Sequence, residues 1–450
     1  YLVVANDLKA TKMRAELVGE ALVLGQVRDV LQPIVDKAGA LSSDLAPGIV
    51  NARAALLLRL PLKQTLIDTY GAYLQANQVE KPDIWAARSV TLAPGGAFKP
   101  VTVAVWDSGV DSSLFKAQVK RDARGKPLLS AYDKYGKPSR SELQPLPPAV
   151  RAKLPQMISR SKGFSDLQSN IDSVEAGEVK RELSTLKPEA YKAAIEEIQL
   201  AGNYEHGTHV AGITLDGNPH ARLLIARIEF GHTLMPDPCP SLRQARRDAQ
   251  VSLEQIAFLK KHGARVVNMS WGGSVGDIES ALEQCDSGKT PEQRKALARE
   301  LFTLSRDALQ RGFASAPGIL WVAAAGNSNV DASFAESAPA DIVLPNLLTV
   351  GAVDRAGDEA AFTSYGPTVK VHANGYQVES YLPGGTRVAL SGTSMAAPQV
   401  ANLAGKMLVV NPKLKPAELV EIIVATADKT EDGRRTLVNP AKAVEAARLR

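Results

Sequence analysis

Four short apolar runs set the tightest limit on how this chain can fold. VTVAVW (Val101–Trp106), RLLIARI (Arg222–Ile228), RVVNMS (Arg265–Ser270) and ILWVAAA (Ile319–Ala325) are each six or seven residues long. They are apolar at successive positions, as in a strand buried on both faces. Helical stretches separate them. A chain that returns to the same sheet edge after each helix builds a parallel sheet, with the crossovers covering its faces. The expected fold class is therefore α/β with a mostly parallel central sheet.

The flanking sequence differs in character. From about Thr11 to Gln78 it is rich in Ala, Leu, Lys and Glu at helical spacing, as in LVGEALVLGQVRDVLQPIVDKAG, with Pro33, Pro47 and Pro61 as interruptions. Residues 1–95 are expected to form a helical N-terminal region, and LAPGGAFKP to turn the chain into an α/β domain over 96–450. Two stretches look inserted into the alternation, near 116–200 and near 274–316. The first is charged and proline-bearing, which suits a surface lid more than core. Behind Ser394, MAAPQVANLAGKMLVV reads as a buried small-residue helix, and PAELVEIIVATA and PAKAVEAARL as closing helices with proline in the first turn.

Composition removes several function classes. With 53 basic and 48 acidic side chains over 450 residues, the formal charge of +5 is too dilute for a nucleic-acid-binding surface. No apolar run approaches the roughly 20 residues of a membrane helix; LLLRL around Arg59 is broken by that arginine and by Pro61. Cys239 and Cys285, the only cysteines, are too few for a disulfide framework or a cysteine zinc site. One disulfide and two separate thiols both remain open. The chain begins at Tyr1 and shows no basic, apolar leader, so an upstream segment removed by processing is an expectation, and export is neither shown nor excluded.

In open parallel sheets, ligands bind beyond the carboxyl ends of the strands. Asp107 follows VTVAVW, Ser270 ends RVVNMS ahead of Trp271, Gly272 and Gly273, and Asn327 follows WVAAAG. Each also has an ordinary structural explanation, since acidic and amide residues cap helices and form turns. His206 and His209, three apart in YEHGTHVAGI, could share one helix face as a metal pair, or be two structural histidines at a Gly-rich helix start. Without H-E-x-x-H or a nearby cysteine the metal reading is weak. Ser394 in LSGTSMAAPQV stands at a helix start, where a serine is ordinarily a cap. It is not in a G-x-S-x-G elbow. Taken together these groups could form one chemical unit, for a serine hydroxyl needs a histidine to take its proton and the histidine needs a buried carboxylate.

The order Asp, His, Ser, with WDSGVD, HGTHVAG, NMSWGG, AAAGN and GTSMAAP, resembles the subtilisin-like serine protease family over five blocks between Val101 and Ala425. Chymotrypsin order (His, Asp, Ser) and α/β-hydrolase order (Ser, acid, His) do not fit. The resemblance implies a three-layer α/β/α subtilisin-like fold and an endopeptidase acting through an acyl-enzyme. It assigns Asp107 as the orienting carboxylate, His206 as general base and acid, Ser394 as nucleophile and Asn327 as oxyanion donor beside the Ser394 N–H. His209 is left structural. Ser270, Trp271, Gly272 and Gly273 resemble the strand on which substrate lies, and Glu336–Pro339 the base of the first specificity pocket. It further implies polypeptide substrates, a secreted or periplasmic location and no required cofactor.

Departures from compact members temper those implications. Asp107 and His206 lie 99 positions apart, and TLDGNPHARLL after HGTHVAGI lacks the longer loop that holds calcium in many relatives. No metal site is therefore assigned. The N-terminal region does not look like the usual α+β inhibitory propeptide, and none is identified. The alternative is a catalytically silent subtilase fold acting as a binding scaffold.

Overall fold

In the computed structural model, which describes residues 2, 3, 5–42, 45–96, 98–169, 171–285 and 288–450, strand β1 (Val101–Asp107) lies near the middle of the main sheet. Its Val101, Val103 and Val105 face one apolar cluster, and Ala104 and Trp106 face another. Side chains alternate across a pleat, so a run without polar interruption is buried on both sides. The remaining strands are β2 (Leu129–Tyr132), β3 (Pro138–Ser139), β4 (Ala221–Arg227), β5 (Val266–Met269), β6 (Leu320–Ala324), β7 (Leu347–Val353), β8 (Val369–Asn374), β9 (Asp428–Lys429) and β10 (Thr436–Leu437). They run across the sheet in the order β9-β10-β8-β7-β6-β5-β1-β4-β2-β3. Pairing is parallel throughout except at the two edges, β9–β10 and β2–β3.

The N-terminal region is helical: α1 (Asn6–Leu17), α2 (Glu20–Gln26), α3 (Gln32–Ala38), α4 (Ala46–Ala54) and α5 (Lys63–Ala76). Pro47 falls in a first turn, where the missing N–H costs nothing, and Pro33 directly follows a π-helical turn, Val27–Leu31, that runs from α2 into α3. Ala97, in the expected LAPGGAFKP turn, lies outside the described residues, as do Asp286 and Ser287.

The stretch near 116–200 is not a loose lid. It adds β2 and β3 to the sheet edge and then forms α6 (Pro148–Gln168) and α7 (Val174–Thr185) before entering α8 (Tyr191–Leu215). Ala176, Val179 and Leu183 lie along one face of α7 and pack with Leu167 of α6 and Met13 of α1. Charged residues between them mask this spacing in the sequence.

One sheet face is covered by α8 with α12 (Thr393–Val410), α13 (Pro416–Thr426) and α14 (Pro440–Leu449). The other is covered by α9 (Leu242–Lys261) and by α11 (Pro291–Ala314), which follows α10 (Val275–Gln284). The stretch near 274–316 is therefore no simple addition: Leu309 and Phe313 of α11 belong to the second core. The result is a three-layer α/β/α arrangement. No described helix is long and apolar enough to cross a membrane.

Cys239 and Cys285 are joined, tying the loop after β4 to the end of α10 across a separation of 46 residues. Loop closure of that length restricts the unfolded chain. Replacing both cysteines by serine is expected to lower the unfolding free energy by about 2–4 kcal/mol in denaturant titrations, with no further effect of reductant on the variant.

Candidate active site

The turn after β1 and helix α8 meet with almost no clearance. A Cβ on Gly207 would lie 2.2 Å from the Gly109 carbonyl oxygen, and Gly109 itself is at φ +120° with a Cβ position 2.3 Å from the Glu142 oxygen. Both places require glycine. Two hydroxyls fix the approach: Ser108 Oγ accepts from the Gly207 N–H at 3.0 Å, and Thr208 Oγ1 accepts from the Asp111 N–H at 3.0 Å. The Ser108 and Gly109 of DSGVD and the Gly207 and Thr208 of HGT are explained by this approach.

That contact carries Asp107 to His206. Asp107, last residue of β1, is fully buried, and its Oδ1 lies 2.7 Å from His206 Nδ1 and accepts from the Ser108 N–H at 2.7 Å. His206 is not at a helix start, as the sequence suggests, but well inside α8, which begins at Tyr191. Burial disfavours its cation, but the charge and hydrogen bond of Asp107 outweigh this and raise its pKa above the ordinary value. His209 faces elsewhere, its Nε2 2.9 Å from the Val388 carbonyl oxygen, and burial pushes it down to about 4. The two histidines do not converge on one point. Among the described residues no group of three or more His, Cys, Asp or Glu is placed to hold a metal ion.

Ser394 is not a cap. Helix α12 starts at Thr393 after Gly392 at φ +151°, and Ser394 is its second residue, where the N–H has no acceptor within the helix. Its Oγ donates to the Ser270 carbonyl at 3.2 Å; in return Ser270 Oγ donates to the Ser394 carbonyl at 2.9 Å and accepts from Asn268 Nδ2 at 2.9 Å. Among the described residues no hydrogen bond joins Ser394 to His206. Asn327 is exposed, and its Oδ1 accepts from both the N–H and the hydroxyl of Thr393 at 2.9 Å. This leaves its Nδ2 donors unused, 3.4 Å from where a Gly392 Cβ would stand. Thr393, which a sequence reading passes over as a neighbour of the serine, sets this amide orientation.

The segment expected to carry substrate is only partly free. Ser270 is buried, its hydroxyl donating to the Ser394 carbonyl and its own carbonyl accepting from the Ser394 hydroxyl. Trp271 donates its Nε1–H to the Trp106 carbonyl at 2.7 Å and stands edge-on to that ring at 5.1 Å. Gly272 and Gly273 are exposed. Gly273–Ser274 pairs antiparallel with Ser337–Ala338, so one of its edges is occupied by the segment expected at the pocket base. Glu336 there is no free carboxylate, because Arg299 of α11 donates to it at 2.6 Å.

A parallel sheet covered by helices on both faces, with Asp107 ending β1 and Asn327 just beyond β6, defines a three-layer α/β architecture. The chain belongs to the subtilase family, whose model matches residues 99–440. It is 30% identical over 238 residues to the Subtilase-type proteinase RRT12 of Saccharomyces cerevisiae, covering 52% of this chain and 41% of that protein. It is 30% identical over 234 residues to Alkaline protease 1 of Aspergillus clavatus (49% and 47%) and 32% identical over 177 residues to Subtilisin DY of Bacillus licheniformis (39% and 54%). The chain spans about half the length of such curated relatives. Among solved structures, a cold-adapted subtilisin-like serine proteinase aligns with a TM-score of 0.43 at 21% identity, over 78% of this chain and 93% of the other.

The clearance between α8 and the β1 turn gives a direct test. Gly207→Ala is expected to lower the unfolding free energy by about 1–3 kcal/mol, the usual cost of forcing an extra methyl into a filled space. Urea titration measures it, and a stability equal to the parent chain contradicts the tight contact.

Proposed function

We propose that this chain is a serine endopeptidase that cuts extended polypeptide, with Asp107, His206 and Ser394 as its triad. The observation that carries this is the 2.7 Å contact between His206 Nδ1 and a fully buried Asp107, at the same sheet edge as Ser394 and the unused Asn327 amide. Asp107 fixes the tautomer with Nε2 unprotonated. Turning the Ser394 side chain from Ser270 toward that nitrogen lets His206 take the hydroxyl proton as Oγ attacks the scissile carbonyl. Asn327 Nδ2 and the Ser394 N–H then receive the developing oxyanion. His206 returns the proton to the leaving amine, and water repeats the sequence on the acyl-enzyme. Every step uses protein groups, so no cofactor is proposed and calcium is given no site. Substrate backbone would lie along Gly272 and Gly273 beside Trp271. With Glu336 neutralised by Arg299, a basic side chain is not the proposed preference of the first pocket. A secreted or periplasmic location follows only the habit of the family.

The second reading, a silent scaffold, is favoured by one observation: Ser394 Oγ bonds to Ser270 rather than His206. A fluorophosphonate probe separates the two. Labelling of the parent chain that disappears in Ser394→Ala, together with loss of peptide hydrolysis to at most a few per cent, is expected. An unlabelled, well-folded parent chain would mean the scaffold.

The base must be neutral to act, and Asp107 holds the imidazolium in place longer as pH rises. The acidic limb of kcat/KM is therefore expected above the roughly 6.5 of free imidazole, with activity falling below it. A flat profile from about pH 5 to 8 with intact fold would remove His206 from the role.

A further inference from the structure

Glu205 stands one residue before His206 on α8, and the reaction proposed above makes no use of it. It is nearly fully buried, at 2% exposure. Its Oε1 accepts from Ser161 Oγ of α6 at 3.0 Å, and its Oε2 is buried without a partner. This polar contact lies in the seam where α6 packs on α8, beside Met157, Leu200, Ala201 and Tyr204. Gly202 keeps the two helices close there, with a Cβ position 3.1 Å from Ser161 Oγ.

Among the described residues, a charge on Glu205 would have no answering cation except His206. On α6, Arg160 is engaged by Glu182 and Glu197, and Lys162 by Asp166 and Glu175. On the β1 turn, Asp107 is turned to His206, and Asp111 accepts from Ser113 and the Gly384 N–H. Burial accordingly pushes the Glu205 carboxyl up to about 8, against smaller opposing effects of Ser161 and His206. At neutral pH it is an uncharged acid.

We propose that Glu205 is a positioning residue for His206: in its neutral form it holds α8 against α6 through Ser161, and its ionisation loosens that seam and lowers peptidase turnover at alkaline pH. A buried carboxylate with an unpaired oxygen is stabilised by admitting water, which separates the helices that enclose it. His206 is the next residue along, and displacement of a base by about 1 Å can cost ~10²-fold in rate. The inference rests on the triad assignment above. It makes the stretch preceding α8 part of the catalytic support rather than a dispensable rim.

The test compares the full chain with Glu205→Gln between pH 6 and 10. Parent kcat is expected to fall above the Glu205 ionisation, approaching about tenfold per pH unit, with KM nearly constant. The glutamine cannot ionise, and its variant should lack this limb. Ser161→Ala removes a hydrogen bond that favours the anion, so its limb should move to higher pH; this variant carries the test if Glu205→Gln fails to fold. A second readout is independent of activity. On the Ser394→Ala background, a folded-state pKa raised above the ordinary glutamate value means that the stability Glu205 contributes is full below that ordinary value and is lost as pH rises through about 8. The Tm advantage of Glu205→Gln should therefore grow over that interval. Turnover with coincident alkaline profiles for parent and Glu205→Gln overturns the positioning role alone. No turnover and no probe labelling in either protein overturns the peptidase reading and the positioning role with it.

Discussion

How near α8 can come to the turn after β1 governs the rest of the carboxyl edge. Gly207 removes the Cβ that would strike the Gly109 carbonyl, and Ser108 and Thr208 hydrogen-bond across the gap. Only at this distance can a histidine on a helix reach a carboxylate that ends a strand in the buried sheet. The same edge then has to accept α12, and Gly392 gives the positive φ that turns the chain into that helix. Ser394 is placed by backbone geometry, as Asp107 and His206 are.

Local pattern accounts for what was legible in the sequence. The four apolar runs became β1, β4, β5 and β6 within a residue or so of the expected bounds, because a strand buried on both faces has no choice of composition. Asp107 and Asn327 were visible as polar residues at the ends of such runs. Contacts made across long sequence separations were not visible. Ser161 and Glu205 meet over 44 positions and Arg299 and Glu336 over 37, and neither pair has a spacing that marks it. The pairing of Cys239 with Cys285 was likewise open until the loop after β4 was seen beside α10. Strand β2 escaped notice because LSAY is short and half polar, which a position next to the short edge strand β3 tolerates and a central one does not.

The N-terminal region is joined to the body on both sides of the site. Met13 enters the core shared by α6 and α7, which lead into the helix of His206. Farther along, Ser42 gives both its N–H and its hydroxyl to Glu283 at the end of α10, at 2.9 and 2.6 Å. Helix α10 begins directly after the exposed Gly273. Both carboxylate oxygens of the buried Glu283 are thus hydrogen-bonded, with Arg294 3.8 Å from Oε2 as a further partner. The segment between these anchors therefore links the core beside the helix of His206 to the end of the helix that follows Gly273.

The resting position of Ser394 decides less between an active and a silent site than it first suggests. Its hydrogen bond to the Ser270 carbonyl is one neutral O–H···O contact at a partly open site, with a net value of about 1 kcal/mol. A change of serine rotamer is of similar size. Enzymes lower their barriers by roughly 8–23 kcal/mol, so forfeiting that contact when substrate arrives removes little of what the site could supply. The costly parts are already in place: the buried Asp107, the clearance that brings His206 to it, and the Thr393 bonds that turn the Asn327 amide outward. A protein kept only for binding has no physical need to hold these polar groups poised in one edge, where each unsatisfied donor or acceptor weakens the fold.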